Sequence, residues 1–248
     1  VICCTGGMTY SATGSTGDGY KFAKNFGHNI VEPRPGLVPI LLKDNYINNI
    51  QGLSLKNVKL IALKNGKVYK EIFGEMLFTS NGISGPIVLS MSSYINRHND
   101  ISLKIDFKPA LTNEQLHKRL LRDIESIKEK QTSTLIGGLL PNSLIEPFLS
   151  KCNIDKCKKV KSLTTKDIDC IVYTLKNFDL LYNGVDKLDY GIITSGGVDI
   201  HEINPQTMES KLIKGLYFAG EVLNVDALTG GFNLQIAFAT GYLAGNSI

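Results

Sequence analysis

The chain has 248 residues, which is enough for one large domain or two small ones. Its hydrophobic content of 43% and charged content of 20% are ordinary for a soluble globular protein, and its net charge of +4 is mild. No apolar stretch approaches the roughly 18 residues that a membrane-spanning helix needs, so we expect no membrane partner.

The first residues combine a short strand with a long glycine-rich loop. Val1–Cys4 predicts a buried strand, and the loop "TGGMTYSATGSTGDG" follows it, with a helix containing Phe22 expected next. This order is typical of a nucleotide-binding domain. The G-x-G-x-x-G fingerprint is nevertheless absent, because Phe22 stands three positions after the G-x-G of Gly17 and Gly19.

Residues 36–110 have the alternation that is typical of strands. In "ISLKIDF", which begins at Ile101, apolar and polar residues alternate along the segment. Asn65-Gly66 predicts a two-residue hairpin loop, and Pro86 predicts the start of a helix. We therefore expect a β-rich, barrel-like module here.

Residues 111–183 change to a helical period, with apolar stripes that predict core faces. Thr112 and Gln115 have the spacing of a capping box. Thr164 or Thr165 is the expected N-cap of a later helix. These signals predict a helical module.

Thiol, imidazole and lysine side chains show no catalytic pattern. Five cysteines without C-x-x-C spacing predict reduced thiols in the cytosol and no metal site. Six lysines fall between Lys151 and Lys166; a solvated face is the preferred interpretation, and a nucleic-acid patch is the alternative. The four histidines are each expected at the surface or at its boundary: His28, His98, His117 and His201.

The segment "GLYFAGEVLNVDALTGGFNLQIAFATGYLAG" predicts a strand, a glycine-rich turn and a helix. Gly220 and Glu221 follow the strand at its carboxyl end, where open α/β sheets place ligands. The Thr229–Gly231 turn opens the helix, where unpaired backbone N–H groups and the positive end of the dipole attract an anion. Glycines without Cβ also let a flat ring or a phosphate come close.

Several residues near this turn have two interpretations. Glu221 is either an acceptor for a sugar-like hydroxyl or a helix cap, and Asp226 is a second acidic candidate. The small residues Ala237 and Gly241 predict a thin helix face that packs against a sheet or a cofactor. "ITSGGVDI", which begins at Ile193, predicts a third small-residue turn near the same site.

Glycine usage divides the chain into outer and middle parts. We expect residues 1–35 and 184–248 to form one discontinuous α/β unit, with residues 36–110 and 111–183 inserted between them as the β-rich and helical modules. The first βαβ of such a unit would precede Val1, so we expect the chain to be a fragment or a processed form of a longer protein.

Four long segments resemble one known family. "TGGMTYSATGSTGDGYKFAKNFGHNIVEPRPGLVPILL", "GEMLFTSNGISGPIVLSMS", "TSGGVDIHEINPQTMESKL" and the C-terminal segment quoted above are similar to the YhiN/BaiN-like FAD-dependent oxidoreductases. The resemblance runs from end to end. It implies an α/β, glutathione-reductase-like FAD-binding domain interrupted by an inserted small β-barrel and a helical subdomain. We therefore expect that domain to be incomplete here, because the GxGxxG segment and the adenosine-binding carboxylate of the family are not found among these residues.

The resemblance also implies which residues line the FAD site. The N-terminal turn would line the FAD path, and the turn after the last strand would sit by the ribityl–phosphate stretch. The helix-opening turn would lie at the flavin ring, where a positive helix end favours the negatively charged reduced form. The implied cofactor-binding residues are Thr5, Gly6, Gly7, Gly220, Glu221, Asp226, Thr229, Gly230, Gly231 and Phe232.

Three functional hypotheses follow. The first is an FAD-dependent oxidoreductase of unknown small-molecule substrate, with NAD(P)H as the expected donor and no identified side-chain catalyst. The second is a non-catalytic fragment whose inserted module recognises a substrate or partner. The third is an RNA-binding flavoprotein, because the family resembles tRNA-modifying flavoproteins distantly; nucleic acid is the less favoured partner. A truncated sheet would leave an unpaired edge, so we also expect self-association.

Overall fold

The computed structural model describes all 248 residues, and they form two compact units. The first unit contains Val1–Ile40, Val88–Asn99 and Gly184–Ile248. The second contains Leu41–Ile87 and Asp100–Asn183. The chain therefore leaves the first unit twice and returns to it twice.

Eleven strands and seven α-helices make up the two units. The strands are β1 (Ile2–Cys3), β2 (Ile30–Gly36), β3 (Ile40–Leu42), β4 (Ser54–Lys64), β5 (Lys67–Thr79), β6 (Gly82–Ser84), β7 (Ile101–Asp106), β8 (Phe178–Leu180), β9 (Tyr182–Val185), β10 (Ile193–Val198) and β11 (Tyr217–Phe218). The helices are α1 (Asp18–Asn25), α2 (Pro86–Ile95), α3 (Asn113–Ser126), α4 (Thr132–Gly137), α5 (Asn142–Lys151), α6 (Thr165–Lys176) and α7 (Phe232–Gly245).

Two small strand pairs bring the ends of the chain together in the first unit. β1 pairs in parallel with β11, so that Ile2 lies opposite Tyr217 and Cys3 opposite Phe218. β2 pairs antiparallel with β10. The parallel pair places the N-terminal glycine-rich loop and the loop that precedes α7 at the same, carboxyl end of neighbouring strands.

A buried histidine network ties the first unit together. The His28 ring bonds the Glu202 carboxylate through Nδ1 at 2.9 Å and the Ser210 hydroxyl through Nε2 at 2.8 Å, and it meets Phe218 edge-on at 5.0 Å. Partial burial acts to raise the pKa of Glu202, but hydrogen bonds from Asn29 and His28 outweigh it and hold that pKa below its usual value. The expectation of a surface or boundary position is wrong for His28. Its burial is tolerated because both ring nitrogens are bonded.

The second unit is built on a seven-stranded sheet with the order β8-β7-β4-β5-β6-β3-β9. The sheet is open, with β8 at one edge and β9 at the other, so the predicted small β-barrel is wrong. Closure needs the two edge strands to pair with each other, and these edge strands have only three and four residues. The strand alternation in the sequence identifies strands, but it does not say which strands are neighbours.

Local predictions for the strand-rich middle of the chain are confirmed. Asn65 and Gly66, with φ of 51° and 74°, close the β4–β5 hairpin, as a two-residue loop of type I′ requires. In β7, Ile101 and Leu103 are buried, as the alternation predicts. The helix α2 begins at Pro86, with the ring at a position where no backbone donor is needed.

Two helices of the second unit have the predicted caps. Thr112 accepts a hydrogen bond from the backbone of Gln115, and the Gln115 side chain accepts one from the backbone of Thr112. Thr164, one of two candidates, caps α6 in the same way together with Asp167. Each box satisfies donors that a helix start otherwise leaves unpaired.

Candidate functional site

The turn that opens α7 is held in a conformation that favours glycine. Gly230 and Gly231 have φ of 119° and 84°, in the left-handed region. A Cβ added to Gly231 would meet no atom within 4 Å, so open space borders the backbone there. Gly231 is the N-cap and provides no side-chain cap, and no acidic residue lies in the first turn. The helix end therefore presents unpaired N–H groups and a positive dipole end.

This turn forms one wall of a cavity of about 450 Å³ within the first unit. The volume falls in the range of about 300–1,000 Å³ that is usual for small-molecule sites. The polar part of the wall is formed by Glu221, Thr229, Gly230, Gly231 and Asn233, and its apolar part includes Leu37, Ile193, Leu228 and Ala237.

Two polar side chains of α7 fix the loop that precedes the helix. Asn233 accepts a hydrogen bond from the backbone N–H of Ala227 and donates one to its carbonyl, each at 2.8 Å. The Thr240 hydroxyl accepts the N–H of Gly220 at 2.9 Å. The start and the middle of the loop are therefore hydrogen-bonded to side chains of the helix, which pre-organises the cavity wall.

Thr194 on β10 joins the two glycine-rich segments. Its hydroxyl oxygen accepts the N–H groups of Met8 at 2.8 Å and Thr9 at 3.2 Å, and its own N–H donates to the Glu221 carboxylate. A Cβ on Gly7 would lie 2.2 Å from the Thr194 hydroxyl oxygen and 2.8 Å from Glu221 Oε1. The N-terminal loop therefore reaches the cavity wall through Glu221.

The electrostatics near Glu221 keep a neighbouring phenol protonated. Burial raises the pKa of Tyr20 well above its usual range, and the charge of Glu221 raises it further; a hydrogen bond with Thr194 acts in the opposite direction. The Tyr20 hydroxyl donates to the Glu221 carbonyl at 3.4 Å. Tyr20 thus acts as a hydrogen-bond donor that supports the turn at Glu221.

The ten residues implied for the site do not all reach the cavity. Four line it: Glu221, Thr229, Gly230 and Gly231. Gly7 packs against Glu221, and Gly220 is fastened to α7, so both support the wall.

The other four implied residues lie outside the cavity wall. The Thr5 hydroxyl packs beside Gly19, where an added Cβ would approach it to 2.0 Å, and Gly6 adopts a φ of 72°. Asp226 is exposed. Phe232 is 60% exposed and lies against Gly230, where an added Cβ would meet its ring at 3.0 Å. Their assignment to a cofactor stays a prediction.

The segment "ITSGGV" is a buried strand, β10, and the prediction of a third small-residue turn is wrong. Gly196 and Gly197 serve close packing, because an added Cβ would lie 2.6 Å from the Glu32 carbonyl oxygen and 2.5 Å from that of Val222. Sequence reasoning that takes this strand for a turn also misses Thr194 as a site residue. The sequence feature that could have identified Thr194 is a threonine within a strand of small residues.

Sequence reasoning also misses Leu37 and Asn233, and only one of them carries a sequence signal. Leu37 lines the cavity with φ of 50°, an uncommon conformation for a branched residue, which nothing in the sequence announces. Asn233, in the first turn of a predicted helix, is of a type that bonds nearby backbone, so its contact with the preceding loop is foreseeable.

The lysine-rich segment of the second unit is largely neutralised by carboxylates. Lys158 pairs with Asp167 at 2.8 Å, and Lys161 pairs with Glu129 at 2.8 Å. In all, five of its six lysines form such pairs: Lys151, Lys156, Lys158, Lys159 and Lys161. This arrangement weakens the attraction that the segment could offer to a polyanion.

Two further observations concern the whole chain. No helix combines the length and apolar character that crossing a lipid bilayer requires. No group of three or more His, Cys, Asp or Glu side chains is arranged so that it could hold a metal ion.

Comparison with known proteins gives relatives along the whole chain. The chain is 32% identical over 250 residues to the ribosomal RNA dihydrouridine synthase of Haemophilus influenzae, an alignment that covers all of this chain and 60% of that protein. It is 30% identical over 251 residues to the 3-dehydro-bile acid delta(4,6)-reductase of Clostridium scindens, covering 100% of the chain and 61% of that protein. It is 31% identical over 243 residues to the ribosomal RNA dihydrouridine synthase of Escherichia coli, covering 98% and 58%.

The chain spans about 60% of the length of the curated relatives it matches. The family described as HI0933-like protein Rossmann domain matches residues 1–247. The family match and the relatives bear out the resemblance found in the sequence, and the family is one of FAD-binding proteins that includes an oxidoreductase. The chain belongs to the HI0933-like Rossmann-domain family.

Proposed function

We propose that this chain provides part of the flavin site of an FAD-dependent oxidoreductase, with NAD(P)H as the electron donor. The observation that carries the proposal is the cavity of about 450 Å³ at the start of α7, bordered by Gly230 and Gly231. When bound, FAD supplies the hydride transfer, which amino-acid side chains do not perform.

The residues of the cavity fit such a group. The open space beside Gly231 admits a flat ring or a phosphate close to the backbone. The uncapped start of α7 donates hydrogen bonds and favours negative charge on whatever lies there. Leu37, Leu228 and Ala237 give apolar surface that excludes water from one side of a bound ring.

Glu221 and Thr194 act as positioning residues in this proposal. The Thr194 N–H holds the Glu221 carboxylate, and the Thr194 hydroxyl holds the N-terminal loop. The carboxylate lines the cavity, where it can accept a hydrogen bond from a hydroxyl of the bound group. The residues derived for this site bind and orient; the proposal assigns no proton-transfer role to them.

The names of the relatives support a reductive direction. Dihydrouridine synthesis and delta(4,6) reduction both denote the addition of hydrogen to a carbon–carbon double bond. We therefore propose that the substrate is an unsaturated compound that accepts a hydride.

A second candidate is RNA as the substrate, favoured by the names of the Haemophilus and Escherichia relatives. The pairing of five lysines with carboxylates in the lysine-rich segment argues against that segment as the RNA contact. A steep fall of RNA affinity with salt concentration would support this candidate, because each neutralised phosphate releases counterions. An RNA affinity that is undetectable, or that does not change with salt concentration, would remove it.

The flavin site is tested by titrating the chain into FAD and following the quenching of flavin fluorescence. Gly231→Val fills the space beside the turn, and we expect it to weaken binding at least about tenfold, equivalent to about 1.4 kcal/mol. Gly215→Val is the matched control: Gly215 has φ of 78°, similar to the 84° of Gly231, and also borders open space. Equal FAD affinity of the two variants would overturn the proposal.

A further inference from the structure

Two cysteines that are distant in the sequence lie side by side in the second unit. Cys152 follows the last residue of α5, and Cys170 lies within α6. The Cys152 sulfur is 3.9 Å from the carbonyl oxygen of Cys170, and the Cys170 sulfur is 3.8 Å from that of Cys152. Because each sulfur reaches the backbone of the other residue, the two side chains occupy the same small space between the helices.

The two thiols differ in their surroundings. Cys152 is buried, at 8% exposure, whereas Cys170 is half-buried. Burial raises the pKa of the Cys152 thiol; a hydrogen bond with Thr174 lowers it, and the neighbouring Cys170 raises it. Cys152 is therefore shielded and protonated near neutral pH, and an oxidant from solvent reaches Cys170 first.

We propose that Cys152 and Cys170 form a redox modification site at which a small-molecule disulfide converts the two thiols to an intramolecular disulfide. A disulfide requires the two Cβ atoms to approach within about 3.5–4.5 Å. The reciprocal sulfur–carbonyl contacts show that the side chains already point into a shared space. The new bond would join the end of α5 to the middle of α6.

The reaction balances with oxidised glutathione as the oxidant. The Cys170 thiolate attacks one sulfur of the oxidant, which forms a mixed disulfide and releases one glutathione thiolate. Cys152 then loses its proton and attacks the Cys170 sulfur, which releases the second glutathione. The two protein thiols lose two electrons and two protons, and one oxidised glutathione becomes two reduced molecules.

The site is tested by incubating the folded chain with oxidised glutathione, blocking the remaining thiols, and identifying tryptic peptides by mass spectrometry without reduction. Lysines at 151, 156, 166 and 176 place the two cysteines on separate peptides, residues 152–156 and 167–176, and Cys157 on a third. We expect the first two peptides to appear linked, and dithiothreitol to separate them. The second step requires the Cys152 thiolate, so the linked fraction should form faster as pH rises.

Two variants decide the assignment. Cys157→Ser removes the exposed neighbouring thiol, and the linked pair should persist. Cys170→Ser should abolish the link and leave glutathione adducts only. Glutathione adducts on the exposed Cys157 of the unchanged chain without any 152–170 link, or a link from Cys152 to Cys157 instead, would overturn the proposal. Because the unchanged chain gives the primary result, the test does not depend on either variant folding.

Discussion

Replacing Gly7 by alanine tests the contact that joins the two glycine-rich segments. A Cβ at this position would lie 2.2 Å from the Thr194 hydroxyl oxygen and 2.8 Å from Glu221 Oε1. Neither neighbour is free to move, because Thr194 accepts the N–H groups of Met8 and Thr9 and donates its own to Glu221. The added methyl group must therefore displace a fixed side chain or the backbone.

The cost can be estimated from the bonds that this displacement would break. Overpacking a close-packed site costs about 1–3 kcal/mol. A shift of Thr194 would also leave two backbone N–H groups without their acceptor, at about 1–3 kcal/mol for each one that stays buried. Because the Thr9 bond is buried and the Met8 bond only partly buried, we count one such N–H group and expect Gly7→Ala to lower the free energy of unfolding by about 2–6 kcal/mol.

Urea unfolding followed by circular dichroism measures this change. Gly241→Ala is the control, because its added Cβ meets no atom within 4 Å and alanine favours a helix by up to about 1 kcal/mol. In a Thr194→Ala background, Gly7→Ala should cost less, because the closest contact, at 2.2 Å from the hydroxyl oxygen, is gone. It should still have a cost, because the contacts with the Cβ at position 194 (2.7 Å) and with Glu221 Oε1 (2.8 Å) remain. A free energy of unfolding for Gly7→Ala within about 0.5 kcal/mol of that of the unchanged chain, the range of an ordinary surface substitution, would refute the predicted clash.

Three further changes test other parts of the fold. Because the pKa of Glu202 is lower in the folded state than in the unfolded state, its ionised carboxylate stabilises the fold, and this stability is lost as pH falls below about 4.5 and through the folded pKa. Glu202→Gln should lack this acid-dependent loss of unfolding free energy in urea unfolding between about pH 7 and about pH 3. A variant with the same pH profile as the unchanged chain would contradict this. Thr112→Ala removes the N-cap of α3 and should lower the free energy of unfolding by about 0.5–2 kcal/mol. An unchanged urea midpoint would show that the capping box does not stabilise the fold. The Cβ added by Gly66→Ala would meet no atom within 4 Å, so any loss of stability comes from backbone strain at this left-handed position. We expect thermal unfolding to show a loss of about 1–2 kcal/mol in the free energy of unfolding, and equal stability would argue against the left-handed turn.

The sequence by itself determined the features that depend on near neighbours. The caps at Thr112 and Thr164, the hairpin loop at Asn65-Gly66 and the start of α2 at Pro86 each follow from residues within a few positions of one another. Such signals survive folding because hydrogen bonds and allowed dihedral angles act over one turn of chain. The family, too, is identified by the residues alone, because the resemblance is carried by long continuous segments.

Only the tertiary structure decided which distant groups meet. The Met8–Thr194 hydrogen bond spans 186 positions, and nothing near either residue in the chain announces it. The same holds for the burial of His28 and the proximity of Cys152 to Cys170. Strand alternation could not distinguish an open sheet from a barrel, because alternation defines the faces of a strand and not its neighbours. These contacts form when whole elements pack, and their free energy depends on pairs that local sequence does not specify.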